Sequence, residues 1–145
     1  MEFNFDKIIR IKKIRIEKSE LSDEENKLTT PSITDKSLIP EIYNVFRELL
    51  DERGCAPNIE SVIQRKKFIF IILYLFSPST LAGGKMASGL RDDLADILGI
   101  YSKSTISDNC SDIVFLYQNY ADFSDDIAWL YNRIVERLKE KGLIK

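Results

Sequence analysis

An all-α fold is what this sequence predicts: a helix-turn-helix bundle of about five helices, preceded by an extended N-terminal arm or strand. Three observations carry that expectation. From Pro40 onward the apolar residues recur at helical spacing. A glycine, Gly99, separates two such runs at the distance a helix-turn-helix requires. Residues 3 to 16 instead alternate with a period of two.

The segment from Ser88 to Ile113 holds the central motif. Its first run places Leu90, Leu94, Ile97 and Leu98 on one face, with the small Ala95 allowing close approach of a second helix. Gly99 falls where the first helix must end in the left-handed region, and Ile100 follows as an apolar plug. Ser104 is the expected cap of a second helix, whose inner face is Ile106, Cys110, Ile113 and Val114. The turn is one residue longer than the commonest form of the motif.

Residues 1–18 form the expected arm. Phe3 and Phe5 alternate, then Ile9 and Ile11, then Ile14 and Ile16, while the positions between are mostly basic. A lone strand is an open edge, so these apolar residues are candidates for contact with another protein chain. Residues 19–38 are polar, acidic at Glu20, Asp23, Glu24 and Glu25, and carry turn chemistry at Thr29 to Ser32; they read as a linker. Residues 39–145 form the expected helical domain. Pro40 suits a first turn, Ile42, Val45, Phe46, Leu49 and Leu50 make a stripe, and Gly54 stops it. Asn58 is the expected cap of the next helix, which becomes apolar on every side from Phe68 to Phe76 and should therefore lie at the centre. A small-residue loop, 77 to 87, leads to the helix-turn-helix. The second helix of that motif should reach Gln118 or Tyr120. A last helix, favoured at its start by Asp125 and Asp126, carries Ile127, Leu130, Tyr131, Ile134 and Leu138 and ends at Gly142.

The chain has 145 residues, enough for one sizeable core. Its 21 Lys and Arg against 23 Asp and Glu leave a net charge of −2, so any attraction to nucleic acid must come from a local patch. There is no His and only two Cys. That excludes a Cys/His zinc site within one chain and any mechanism built on a His base, and no metal or cofactor is expected. Gly83-Gly84-Lys85 lacks the flanking Gly and Ser or Thr of a phosphate loop. The Asp pairs 92/93 and 125/126 read as helix-start residues rather than acid–base or Mg²⁺ groups. Nothing resembles a catalytic constellation, so enzymatic activity is not expected. The N-terminus shows no signal-peptide pattern, and the Phe68–Phe76 run is too short to span a bilayer. The expected location is the cytoplasm, or the host cytoplasm or a virion if the protein is viral.

Residues 41 to 141 resemble the C-terminal DNA-binding domain of the bacterial replication initiator DnaA, a member of the Trp-repressor-like group. The shared order is a helix ending in Arg65-Lys66-Lys67, the apolar run Phe68 to Phe76, and a helix pair carrying Leu94-Ala95, Leu98-Gly99 and Ser104-Thr105-Ile106. A last amphipathic helix then follows Phe123. That family reads its site with an Asp-His-Thr-Thr type motif; Lys103-Ser104-Thr105-Ile106 stands in the corresponding place, and only Thr105 carries over. The small size and the arm are also similar to phage and mobile-element proteins. The resemblance implies DNA binding without the ATPase activity of DnaA, for which there is no room.

The candidate DNA-binding residues are therefore Arg65, Lys66, Lys67 and Arg91 for phosphates, and Lys103, Ser104, Thr105, Ser107 and Asn109 for the major groove. Lys85 lies near the first group. The same residues would serve equally as solvated helix faces, and Asp108 and Asp112 repel phosphate. Two functions follow. One is a DNA-binding accessory or regulatory protein acting on duplex DNA. The other is a structural or assembly protein, viral among the options, whose helical domain and arm (Phe3, Phe5, Ile9, Ile11, Ile14, Ile16) bind other chains. Oligomerisation fits both; a membrane partner fits neither.

Overall fold

The computed structural model describes residues 1–54 and 61–145, the Lys103 side chain excepted. Seven α-helices occur among the described residues, and no strand. They divide into two units, Met1–Thr30 and Pro31–Lys145.

The first unit corrects the expected extended arm. Residues Phe5–Leu28 form one helix of 24 residues, α1, and none of its residues is buried. The Asn4 side chain caps it, accepting from the Asp6 N–H at 3.0 Å. The Thr29 N–H and hydroxyl both donate to the Glu25 carbonyl at its far end. The period-two pattern misleads for a simple reason. A strand without a neighbour leaves its donors and acceptors to water, whereas a helix satisfies them within the segment. The expected linker at 19–38 is corrected with it, since its first ten residues belong to α1.

The second unit starts with an ordered return. The Ile33 N–H donates to the Leu75 carbonyl at 3.1 Å, and Ile33 is buried. Asp35 caps a single 3₁₀ turn, Lys36–Leu38, accepting from the Ser37 N–H and hydroxyl. These bonds lower the Asp35 carboxyl pKa. Then come α2 (Ile39–Glu52), with Pro40 in its first turn, and α3 (Val62–Phe76). Every residue of the α2 stripe read from the sequence is buried. The expected Asn58 cap and its turn lie outside the described residues; Ser61 caps α3, its hydroxyl accepting from the Gln64 N–H. From Phe68 to Phe76 only Tyr74 is exposed, and α3 touches α2, α7 and two helices that follow it. It is the central helix its composition calls for.

Four more helices enclose it: α4 (Pro78–Leu81), α5 (Leu90–Leu98), α6 (Lys103–Asn119) and α7 (Ala121–Glu140). The short α4 was not expected; the segment 77–87 is a helical turn followed by a loop. Pro78 lies in its first turn, which its fixed φ suits. One cluster unites the buried residues of α2, α3, α5, α6 and α7, including Phe46, Phe68, Leu94, Ile106, Ile113, Leu130 and Ile134. The expected count of about five helices is thus exceeded by α1 and α4. Asp125 and Asp126 fall in the second turn of α7 rather than at its start, because α7 begins at Ala121, directly after the extended Tyr120.

Candidate nucleic-acid interface

α5 and α6 are joined by a four-residue turn, residues 99–102. Gly99 adopts φ 67° at the end of α5. The Ile100 N–H reaches back to the Ala95 carbonyl at 2.9 Å and the Gly99 N–H to the Asp96 carbonyl at 3.3 Å. This closes the helix in the manner that a glycine at this position permits. α6 begins two residues earlier than the expected Ser104 cap: Ser102 occupies the cap position, and its hydroxyl bonds the Ser104 hydroxyl at 2.6 Å. Leu90 and Leu94 are fully buried on α5, as are Ile106 and Ile113 on α6; Cys110 and Val114 are half-buried beside them. The inner faces therefore pack as their spacing requires.

Ser77 is the residue that sequence reasoning missed. It is 4% exposed. Its hydroxyl accepts from the Ala87 N–H at 3.0 Å and bonds the Thr80 hydroxyl at 2.8 Å. The Gly84 N–H donates to the Ser79 carbonyl at 2.8 Å, and a Cβ on Gly84 would lie 2.9 Å from that oxygen. The loop at 83–87 is thus stitched onto α4 rather than hanging free, and Gly84 permits the close approach. Lys36 donates to the Ser88 carbonyl at 2.8 Å and lies 4.0 Å from Asp93, fixing the start of α5.

The stitched loop and α6 enclose a groove of about 500 Å³. Thr80, Lys85, Arg91, Ser107, Cys110 and Ser111 line it. Lys85 and Arg91 are exposed, and neither has an ion-pair partner among the described residues. Burial pushes the Cys110 thiol above its usual range, and the Arg91 charge offsets only part of that. Both effects of the surroundings taken together favour the neutral thiol over the thiolate.

The candidate DNA-binding residues separate in space. Arg91 and Ser107 line the groove, and Ser104 is exposed near the start of α6. Thr105 is half-buried and its carbonyl accepts from the Asn109 amide at 2.8 Å; Asn109 is 6% exposed. Arg65 is half-buried on the first turn of α3. Lys66 reaches Asp112 of α6 at 3.5 Å. Lys67 donates to Asp126 of α7 at 2.6 Å, and Arg53 donates to the other oxygen of the same carboxylate. The Arg53 guanidinium also stacks on Trp129, 4.7 Å from the ring centre. For Asp126, burial raises the carboxyl pKa, but the bonds and charges of Arg53 and Lys67 outweigh it and hold it below the usual range.

Among the described residues no helix is long and apolar enough to cross a membrane, and no three His, Cys, Asp or Glu side chains gather as metal ligands do. No family model, curated protein or solved structure matches this chain.

Proposed function

We propose that the protein binds duplex DNA through α5 and α6, as an accessory or regulatory factor of the DnaA-like, Trp-repressor-like kind. The observation that supports this is the pair Lys85 and Arg91, exposed cations with no acidic partner among the described residues, flanking the outer face of α6. Phosphates would sit against these two side chains, which position the protein without reading sequence. Ser104, Ser107 and Asp108 form the polar row available to base edges, while the Ser111 hydroxyl donates to the Asp108 carbonyl at 2.7 Å; hydroxyls donate or accept, and a carboxylate accepts from cytosine N4. Lys66 offsets the charge of Asp112, the second acid on this face. Lys67 and Asn109 have no part in this contact, because their polar groups are committed to Asp126 and to the helix backbone.

The test is binding to random-sequence duplex across a salt series from about 50 to 200 mM. Affinity should fall steeply with salt. Lys85→Ala and Arg91→Ala should each flatten the log–log slope by about one unit, while Lys66→Ala should change it little. Absence of binding at the lowest salt would overturn the proposal. It would leave the second reading, a structural or assembly protein, which the unburied apolar residues of α1 favour.

A further inference from the structure

We infer that α1 pairs with α1 of a second copy of this chain, side by side and antiparallel. The inference does not rest on DNA binding. It starts from a helix that has capped ends but no buried side chain. None of the 24 residues of α1 is buried, and five of its first twelve are isoleucines. β-Branched residues are poor helix formers, and helices in proteins draw most of their stability from packing.

The charges of α1 are sorted along its length. Residues 5–16 hold five Lys or Arg and one acid; residues 17–28 hold five acids and two Lys. Apart from Asp6 and Lys27 at the extreme turns, this order opposes the helix dipole, which favours acids at the N-terminal end and bases at the C-terminal end. A helix with this order is complementary to its own reverse. A parallel partner would set base against base along the first half and acid against acid along the second.

A row of four apolar and three charged residues sets the register. Lys7, Ile11, Ile14, Lys18, Leu21, Glu25 and Leu28 follow one another at alternating steps of four and three, the seam of a two-helix coil. In the antiparallel register where facing residue numbers sum to 32, Ile11 of each copy meets Leu21 of the other. Ile14 meets the aliphatic stem of Lys18, and Lys7 meets Glu25. Flanking the seam, Arg10 of each copy faces Glu24 of the other. Every one of these contacts occurs twice by symmetry. Ile11 and Ile14, at 40% and 39% exposed, would be covered. Phe5, Ile9 and Ile16 lie off this seam and take no part.

The test is the mass of the full chain in solution, by sedimentation or light scattering, across a concentration series. Wild type should be a dimer or larger assembly. The double reversal of Lys7→Glu with Arg10→Glu turns four attractive contacts per dimer into repulsive ones and should weaken association roughly tenfold or more. Adding Glu24→Arg and Glu25→Lys should restore it. The reversals bring the charge order into line with the helix dipole, so a lost assembly is not a lost helix, and far-ultraviolet circular dichroism checks this directly. A monomeric wild type, an assembly indifferent to the double reversal, or a quadruple variant that stays dissociated would each overturn the pairing.

Discussion

Leu94→Asp is expected to abolish the cooperative thermal transition of the Pro31–Lys145 unit. Leu94 has no exposed surface and belongs to the buried cluster through which α5 packs on α6 and α2. Removing its side-chain volume alone costs about 2 to 5 kcal/mol. The new carboxyl group would also sit within the buried apolar cluster, which adds a few kcal/mol more or forces it to remain protonated. Domains of this size are stable by only about 5 to 15 kcal/mol, so the combined loss consumes most of that margin. The conservative Leu94→Met should cost under about 1.5 kcal/mol and keep the transition. A melting temperature for Leu94→Asp equal to wild type would mean that α5 does not pack on α6 as described.

Asp126→Ala is expected to destabilise the same unit by about 3 to 5 kcal/mol. Asp126 is 16% exposed, and Lys67 and Arg53, at 12% and 23%, both direct their charge at it from other helical segments. Removing the carboxylate takes away the acceptor on which two mostly buried cations converge, and breaking such a pair costs more than the pair's own net contribution. Trp129 is the only tryptophan in the chain and lies against Arg53, so its fluorescence reports on this cluster directly. The pH dependence has a definite sign. Because the folded-state pKa of Asp126 lies below its unfolded value, its contribution is fully present above the unfolded value, near pH 3.9. It is lost as the pH falls through the folded value. The stability gap between wild type and Asp126→Asn should therefore be constant near neutrality and close in acid. A gap that widens as the pH falls would show that the carboxylate is not held by these two cations.

Much of the helical unit was legible because its signals are local. The stripe of α2, the stop at Gly99 and the inner faces of α5, α6 and α7 each depend on spacing within one run or on a single backbone conformation. The all-round apolar character of Phe68–Phe76 was likewise enough to place α3 at the centre, because no other position leaves it out of water. The conformation of residues 5–28 was not legible. Residues 3–16 alternate as a strand's do and residues 19–28 have a linker's composition, but among the described residues no strand offers a partner to their backbone polar groups, and that decides for the helix. The loop at 77–87 was misjudged for a related reason. Its order comes from the buried Ser77 hydroxyl and the close approach of Gly84 to Ser79, and neither contact leaves a periodic trace.

The candidate site divides along the same line. Composition and spacing determined two helices joined at Gly99, the absence of any His, and Arg65, Lys66, Lys67, Arg91 and the polar residues of the second helix as the groups on offer. Which of them face solvent was decided only by tertiary structure. Lys66 and Lys67 are neighbours in sequence, yet one meets Asp112 of α6 and the other Asp126 of α7, about 100° apart around the axis of α3. Asn109 looks like a base reader from its position in the second helix, yet it turns inward onto the Thr105 carbonyl. Lys85 and Arg91 lie six residues apart, and the loop that Ser77 stitches down brings both to one groove beside Ser107 and Ser111. A side chain's type is written in the sequence. Its freedom to bind something else depends on what the neighbouring helices present to it, and those neighbours are distant in the chain.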